Sequence, residues 1–238
     1  MLTKTLVLLT LNEITGSKAL YPKIPFDLFD RVILVDGGST DGTIEFWQTY
    51  GIEVINQRSP GRGTAFIIAQ NSCKEDILLF FSPDGNENPG DIYLLLRAIE
   101  EGADLAIATR FGRGAISLDA EGHRRFGNLF FTFLVNKLFH AKVTDAVNGF
   151  RAIKRRKMLL LNLPYSRFEI EFQMTIRAAK LRFKITEIPT AEFERIGGYS
   201  KAGSLSVGVS YLKVALKELI IGRRFLKNFK DRNLKVSR

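Results

Sequence analysis

The most informative stretch of the chain follows a short apolar run and reads Val35-Asp36-Gly37-Gly38-Ser39-Thr40-Asp41-Gly42-Thr43. The apolar run, residues 31–35, has the length and the β-branched content of a buried strand. The glycines after it permit a tight turn, and Thr40 or Asp41 can cap a helix that begins at Thr43. The stretch therefore predicts a strand, a turn and a helix. Taken alone it does not separate a ligand-binding loop from a plain capped turn, because Asp-Gly pairs occur in many such connections.

The same alternation continues on both sides of this stretch. Short runs rich in Val, Ile and Leu predict strands at residues 5–11, 31–35, 53–55, 77–81, 105–108 and 183–188. Helical spacing of apolar residues predicts helices at residues 43–50, 64–71, 91–101, 123–139 and 168–180. Strands that alternate with helices form βαβ units, so the predicted fold class is α/β, a mostly parallel sheet flanked by helices.

Composition indicates a globular body with a basic end. The chain has 238 residues, of which 45% are hydrophobic and 25% charged, and this excludes collagen-like, low-complexity and wholly disordered proteins. The net charge is +10, and residues 211–238, with nine basic residues against Glu218 and Asp231, carry +7 of it. A basic tail on a nearly neutral body suggests a surface partner, for which nucleic acid and an anionic membrane are the two physical candidates.

Cysteine and histidine are too scarce for a disulfide framework or a structural zinc site. Cys73 is the single cysteine and His123 and His140 are the only histidines, so a reducing compartment is permitted. The apolar run at residues 6–11 is too short for a membrane span and has no small-residue cleavage site after it, so it predicts a strand rather than a signal peptide. We expect one domain at residues 1–203 and an amphipathic basic helical tail at residues 204–238.

Polar residues follow four of the predicted strands, at the edge where an open α/β sheet binds its ligands. These strand ends are Asn12-Glu13, residues 36–43, Ser82-Pro83-Asp84-Gly85-Asn86-Glu87 and Thr109-Arg110. Such a set of carboxylates, glycines and an arginine suits a phosphorylated ligand and a divalent cation. No strand is followed by G-x-G-x-x-G, and residues 61–64 lack the Walker spacing, so the dehydrogenase and P-loop signatures are both missing.

Four motifs, in the right order, resemble those of family 2 glycosyltransferases with the GT-A fold. Residues 35–43 resemble the family's V-D-D-G-S-T-D-G-T stretch, and residues 82–91 align without gaps on its D-x-D-x-Q-H-P-P-E-D segment. Residues 145–151 resemble D-x-x-S-G-F-R, and residues 187–201 resemble the E-V-P…R-x-G-x-S-K end of the dolichol-phosphate mannosyltransferase branch. The resemblance implies a GT-A (Rossmann-like) sheet and transfer of a sugar from a nucleotide-sugar donor.

The resemblance also implies a divalent cation, Mg²⁺ or Mn²⁺, which neutralises charge on the diphosphate leaving group. In the family the D-x-D pair and the following Gln hold this metal, and carried over they become Ser82, Asp84 and Asn86. Asp84 and Asn86 are therefore the expected metal ligands. Ser82 replaces the first carboxylate, so we expect weaker metal affinity or help from another group, for which Glu87 is the nearest acidic candidate.

Arginines are the groups that the resemblance implies for phosphate contacts, since a guanidinium binds phosphate oxygens with planar, multidentate geometry. The implied catalytic residues are Asp84, Arg110, Arg124 and Arg195. The implied substrate-binding residues are Glu13, Asp36, Ser82, Asn128, Asn148, Arg151 and Lys201. The sequence leaves Arg62, in a Gly-Arg-Gly turn, undecided between the site and the surface, and for Arg125 a solvated surface position is at least as consistent.

Two segments bear on the nature of the acceptor, the molecule that receives the sugar. Apolar residues recur at helical spacing along residues 126–138, which a buried core helix explains slightly better than a lipid-facing one. Residues 212–230 combine an apolar face with basic and aromatic side chains, which is typical of an interfacial membrane helix. A nucleic-acid-binding tail has the same composition, so charge alone does not decide between them.

The resulting hypothesis is an inverting, metal-assisted glycosyltransferase. It moves a sugar to a polyprenyl (dolichyl-type) phosphate, whose oxygen is already ionised near neutral pH and needs no general base. We expect it in the cytoplasm, peripherally attached to anionic membrane through its tail, with no nucleic-acid partner. The alternatives are a glycan or sugar acceptor, and a non-catalytic nucleotide-sugar-binding subunit, because Ser82 breaks the metal motif. The sequence leaves the base, the sugar and the oligomeric state open.

Overall fold

A computed structural model describes residues 2–59, 61–118, 122–164, 169–197 and 204–226. Its strands are β1 (Lys4–Thr10), β2 (Arg31–Asp36), β3 (Glu53–Asn56), β4 (Ile77–Phe81), β5 (Leu105–Thr109), β6 (Ile116–Ser117), β7 (Arg151–Lys154), β8 (Ile185–Pro189) and β9 (Ala191–Glu192). Its α-helices are α1 (Ile14–Leu20), α2 (Thr43–Thr49), α3 (Arg62–Ser72), α4 (Asp91–Glu100), α5 (Gly122–Phe139), α6 (Arg155–Leu161), α7 (Glu169–Lys180) and α8 (Ser204–Ile221). The predicted strands and helices are all present, with ends that differ by one or two residues.

The main sheet has the strand order β3-β2-β1-β4-β7-β5-β8. Strand β7 runs antiparallel to both of its neighbours, β4 and β5, and the other pairs are parallel. Strands β6 and β9 form a separate parallel pair. The α/β fold class is therefore confirmed, with one reversed strand in the middle of the sheet.

Strand β7 was not predicted from the sequence, and its composition explains why. Its apolar content is limited to Ala152 and Ile153, between Arg151 and Lys154, which is too short a run to be recognised. Pairing on both sides makes it a strand, because Leu79 and Ala106 both face Ala152 in register. The reversal carries the chain before β7, residues 145–150, to the same edge at which the parallel strands end.

The core lies on both faces of this sheet. Alternate residues of β1 point to opposite sides: Leu6 and Leu8 pack with Trp47 beneath α2 and α4, while Val7 packs with Phe66 of α3. Both faces are covered by helices, and strands buried in this way have continuous apolar sequences. This explains why β4 reads Ile-Leu-Leu-Phe-Phe without a polar interruption.

Helix α8, the first part of the predicted tail, packs on α5 and α7. Tyr211, Val214 and Ala215 are buried in a cluster with Phe131 and Phe172. The buried Glu218 pairs with Arg177 and Lys180 of α7. This helix therefore contributes to the packed body of the protein, while residues 227–238 of the tail lie outside the described residues.

Helix α5 is only partly the core helix that its apolar spacing favoured. Phe131, Val135 and Phe139 are buried, but Phe126 is 72% exposed and Phe133 is 61% exposed. Apolar residues thus occupy both sides of the helix. Among the helices that the structure describes, none is long and apolar enough to cross a membrane.

Candidate active site

A cavity of about 260 Å³ opens at the carboxyl edge of the sheet, bounded by the loop after β4 and by α5 and α8. The residues proposed from the sequence that line it are Ser82, Asp84, Asn86, Arg110, Arg124, Asn128, Asn148 and Arg195. Additional polar lining comes from Arg62, Glu87, Glu171 and Glu192. The structure thus brings most of the proposed site together in one concave, polar space.

Asp84 lies at the centre of the loop that follows β4. Its Oδ2 is 2.8 Å from Nη1 of Arg195, and its Oδ1 accepts a 3.0 Å hydrogen bond from the backbone N–H of Asn86. The backbone carbonyl of Asp84 accepts from the N–H of Ile196 at 2.8 Å. Asn86 donates its Nδ2–H to the carbonyl of Phe193 at 2.5 Å. The segment after β9 therefore holds the Asp84 loop in place on both sides of the carboxylate.

Gly85 allows the Asp84 loop to approach Ile196, in the segment after β9. Its φ is +94°, and a Cβ atom on it would lie 2.5 Å from Cγ1 of Ile196. Both observations require glycine. The Asp84-Gly85 pair is therefore the point where two loops of the site meet.

Arg62 is the residue that sequence reasoning left undecided, and the structure places it in the cavity wall. It lies at the start of α3, where its Nε donates to Oε1 of the buried Glu171 and its Nη1 donates to the Ser82 hydroxyl at 3.1 Å. Nη2 is 3.9 Å from Glu87. Burial lowers the pKa of Arg62, but the negative charges of Glu171 and Glu87 raise it by more. The net shift is therefore upward and the side chain stays charged.

Glu171 holds Arg62 in this position and Gly149 leaves room for it. Glu171 was not identified from the sequence, and Gly149 entered only as part of the motif at residues 145–151. A Cβ on Gly149 would lie 2.0 Å from Nη2 of Arg62. The φ of Gly149 is not in the left-handed region, so the reason for glycine here is the close approach of the guanidinium. The only sequence signal was position, because the Gly-Arg-Gly turn follows β3 at the ligand-binding edge.

We expect Gly149→Ala to lower glycosyl transfer by about 10²-fold, because its methyl group displaces a fixed positive charge from the cavity. Arg62→Ala should have a similar effect, and the double variant should be little worse than either single one. Initial rates of transfer and melting temperatures measure this. Gly122→Ala is the matched control, since Gly122 lies outside the cavity lining and a Cβ there would meet no atom of the described residues within 4 Å. Full activity in Gly149→Ala would contradict a role for the Arg62 position.

Glu87 lies beside the same loop, with its side chain 11% exposed. Its Oε2 accepts a 2.7 Å hydrogen bond from the backbone N–H of Ser82. Burial raises its pKa to about 8, because desolvation outweighs the attraction of Arg62. The carboxyl group of Glu87 is therefore protonated more readily than that of an ordinary glutamate.

Arg110 lines the cavity but is held by two carboxylates. Its Nε is 2.7 Å from Oδ2 of Asp145, which is fully buried, and its Nη1 is 3.1 Å from Oε1 of Glu192. Burial lowers the pKa of Arg110, and the two carboxylates raise it by more, so the group is permanently charged. Asp145 also accepts from the backbone N–H groups of Val147 and Asn148, each at 3.2 Å. Arg110 thus fixes the loop before β7 against β9.

Other residues proposed from the sequence lie away from the cavity. Asp36 is buried at the end of β2 and accepts hydrogen bonds from Thr10, Gly38 and Ser39. Its carboxylate organises its own loop at the same edge of the sheet. Glu13, at the start of α1, is also outside the cavity lining.

Arg151 lies in the interior of the protein, where its guanidinium binds backbone carbonyls. It is 0% exposed, and its guanidinium donates to the backbone carbonyls of Asn148, at 2.8 Å, and Glu171, at 3.1 Å. Burial lowers its pKa to about 10. The structure does not bring Arg151 to the cavity, and Lys201 lies outside the described residues.

The lining of this cavity fits a divalent cation that is held jointly by protein side chains and a phosphorylated ligand. No group of three or more His, Cys, Asp or Glu side chains in the described part of the chain forms a closed metal cage. Mg²⁺, however, is commonly held by one or two carboxylates together with substrate phosphates and water. Asp84 supplies one carboxylate, and the Oδ1 of Asn86 is the atom of that amide able to coordinate a cation. The residues therefore fit a metal site that the phosphates of a ligand complete.

The strand order with one reversed strand, and a polar cavity at the carboxyl edge, define an α/β protein of the GT-A type. Consistent with this, the crystal structure of glucosyl-3-phosphoglycerate synthase from Mycobacterium tuberculosis in complex with Mn²⁺, UDP and glucosyl-3-phosphoglycerate superposes with a TM-score of 0.70. The alignment covers 93% of this chain and 80% of that one at 22% identity. The fold is shared at this level of similarity.

The family follows from the sequence comparison. Residues 19–159 match the model of glycosyl transferase family 2, and the chain belongs to that family. Glycosyltransferase AglJ of Haloferax volcanii is 32% identical over 71% of this chain, although the match spans only 56% of that relative's length. A dolichyl-phosphate hexose transferase of the same organism is 29% identical, over 79% of this chain and 82% of the relative.

Proposed function

We propose that the protein transfers a sugar from a nucleotide-sugar donor to a polyprenyl phosphate, with inversion at the anomeric carbon. The observation that carries this proposal is the cavity whose lining includes Asp84 together with Arg62, Arg124 and Arg195. Three guanidinium groups and a carboxylate in one cavity suit a space in which two phosphorylated groups meet. The relative named as a dolichyl-phosphate hexose transferase supports the acceptor class.

The donor diphosphate is proposed to bind between the Asp84 loop and α3. Arg62 is held there by Glu171, and its Nη1 donates to the hydroxyl of Ser82 in the same cavity wall. Arg195 is paired with Asp84 at 2.8 Å and can exchange this partner for phosphate. Asp84 and Asn86 would hold Mg²⁺ or Mn²⁺, which would offset the charge on the departing diphosphate. Bound manganese and UDP in the synthase structure of M. tuberculosis support this part of the proposal.

The acceptor phosphate is proposed to enter beside α5, next to Arg124 and Asn128. One of its oxygens attacks the anomeric carbon as the bond from that carbon to the donor diphosphate breaks. The electron pair of the broken bond leaves with the nucleoside diphosphate. No proton needs to be removed from the nucleophile, because a phosphate monoester is largely ionised near pH 7. The chain contributes orientation and fixed positive charge to this step.

Arg124→Ala is expected to lower the transfer rate by roughly 10²-fold, because it removes a positive charge that faces the reacting phosphates. The melting temperature should stay nearly unchanged, since Arg124 lies on the cavity side of α5 rather than in the core. Its neighbour Arg125, whose guanidinium lies 5.6 Å from the Phe111 ring centroid, provides the matched control. An equal loss in Arg125→Ala, or a matching fall in stability, would make Arg124 a structural residue.

The function is tested by measuring transfer from radiolabelled UDP-, GDP-, dTDP- and CMP-sugars to a short-chain polyprenyl phosphate. A melting-temperature screen with the same donors identifies the base. Transfer to the lipid phosphate supports the proposal. Transfer only to sugars or glycans would replace the acceptor class, and nucleotide binding without any transfer would favour a non-catalytic subunit, as the serine at position 82 allows.

A further inference from the structure

We propose that the outer faces of α5 and α8 form a docking surface for an anionic lipid bilayer, with the cavity opening at the level of the lipid headgroups. This proposal deepens the proposed function and rests on it only for the entry of a lipid-linked acceptor. We call this surface the docking face, and its apolar members are Phe126, Leu129, Phe130, Phe133, Leu212, Leu216, Leu219 and Ile220.

The α5 part of the docking face is aromatic and exposed. Phe126 is 72% exposed and Phe133 is 61% exposed. These residues are seven positions apart and therefore share one side of the helix. The opposite side carries Phe131 and Val135, which are buried against the rest of the protein. The exposed phenylalanines are thus additional to those that the core requires, and a patch of this kind marks an interaction site.

The α8 part is aliphatic and is flanked by positive charge. Leu216 is 62% exposed and Ile220 is 76% exposed. The basic side chains of Lys213, Arg223 and Arg224 are also exposed. An apolar stripe bordered by lysine and arginine is the pattern of helices that lie in the interface of an anionic membrane.

The two helices form one continuous support for the surface and for the cavity. The rings of Phe131 and Tyr211 meet edge to face with centroids 5.0 Å apart, and both residues line the cavity. Arg124 and Asn128 project from α5 into the same space. A bilayer on the docking face would therefore lie on the outer side of the same two helices whose inner sides line the cavity. The phosphate of a membrane-embedded polyprenol could reach Arg124 while its chain remained in lipid.

The composition of the docking face favours a bilayer over nucleic acid. Leucine and isoleucine side chains such as Leu216 and Ile220 gain free energy by leaving water for a hydrocarbon environment. A nucleic-acid backbone offers them no such environment, and it binds mainly through basic groups. The large aliphatic content therefore identifies the occupant as lipid, and the basic residues indicate that the lipid is anionic.

The test measures co-sedimentation of the full chain with vesicles, either of phosphatidylcholine alone or containing phosphatidylglycerol. The variant replaces Phe126, Phe133, Leu216 and Ile220 together by serine, and its melting temperature is measured to check that it folds. We expect it to lose partitioning by at least roughly 100-fold. The matched control is Tyr93→Ser with Leu94→Ser, since these residues of α4 are 55% and 38% exposed. It should bind vesicles like the wild type.

Binding that is stronger to anionic vesicles and weaker at high salt supports the proposal. The proposal is overturned if the wild type ignores vesicles, if the quadruple variant binds as well as the control, or if the face instead mediates dimer formation or DNA binding. Transfer to a water-soluble short-chain acceptor separates the proposed function from the proposed docking face. The quadruple variant should retain this transfer, whereas vesicle binding without any transfer would refute the proposed function and leave the docking face standing.

A truncation after Ser210 is unsuitable for this purpose, although the sequence pattern would have favoured it. It would remove the buried Tyr211 and Val214 from the core cluster and Glu218 from its ion pairs with α7. Loss of vesicle binding in that protein would report unfolding as readily as loss of a membrane contact. Substitution of exposed residues avoids this ambiguity.

Discussion

Asp84→Asn is expected to reduce kcat/KM for glycosyl transfer by about 10²–10³-fold with little change in melting temperature. The substitution keeps the size of the side chain and its acceptor atom for the Asn86 N–H, but removes the negative charge. A cation bound to the donor diphosphate would then lose the carboxylate proposed to hold it. Arg195, now 2.8 Å from Asp84, loses its partner as well. Both changes weaken the charge arrangement that favours departure of the diphosphate.

Titration calorimetry with UDP and GDP, with and without EDTA, separates the role of the metal from that of the charge. In the wild type we expect tighter binding with Mg²⁺ or Mn²⁺, and in Asp84→Asn we expect this difference to vanish. Asp76→Asn is the matched control, because Asp76 accepts hydrogen bonds from Thr3 at the opposite end of the sheet. Wild-type affinity that is indifferent to EDTA would remove the metal from the proposal.

Glu218→Gln is expected to destabilise the protein by about 3–5 kcal/mol, the usual cost of removing one partner from a buried ion pair. Glu218 is 0% exposed and lies 2.8 Å from Arg177 and 2.6 Å from Lys180. The neutral amide would leave the buried Arg177 and the half-buried Lys180 without this counter-charge. For a chain of this size, in which 1 kcal/mol shifts the melting temperature by about 2–4 °C, the melting temperature should fall by about 6–20 °C. Thermal denaturation followed by circular dichroism measures this.

Lys213→Gln is the control for the Glu218 variant, because it also changes one charge on α8 but at an exposed position. It should leave the melting temperature within about 1 °C. Equal melting temperatures for Glu218→Gln and the wild type would mean that α8 does not pack on α7 as described.

The same ion pair predicts how stability depends on pH. Burial raises the pKa of Glu218, but hydrogen bonds from Arg177 and Lys180 lower it by more, so the net pKa lies below the ordinary value of 4.5. Folding therefore gains stability from the ionised Glu218 above about pH 4.5, and this gain is lost as the pH falls through the lower pKa of the folded state. Glu218→Gln should lack this acid-dependent loss.

The motifs located the site because chemistry at the strand ends depends on local sequence. Ser82, Asp84 and Asn86 stand directly after a strand that is unmistakably apolar, and a parallel sheet collects such positions at one edge. Arg62 and Glu171 were harder to place. They are 109 positions apart, and only the packing of α3 against α7 joins them. Nothing in the residues around either one indicates its partner.

The exposed apolar residues of α5 and α8 also separate what local sequence predicts from what only the packing of the chain decides. Helical spacing predicted two amphipathic helices, but spacing is the same for a core-facing stripe and a membrane-facing one. The sequence by itself determined the α/β alternation, the order of the glycosyltransferase motifs and the identity of the carboxylate at position 84, because each is written in consecutive residues. Tertiary structure alone decided that β7 reverses, that Arg151 is buried, that Arg62 enters the cavity and that α8 belongs to the body. Each of these depends on contacts between residues far apart in the chain, whose energies no local pattern records.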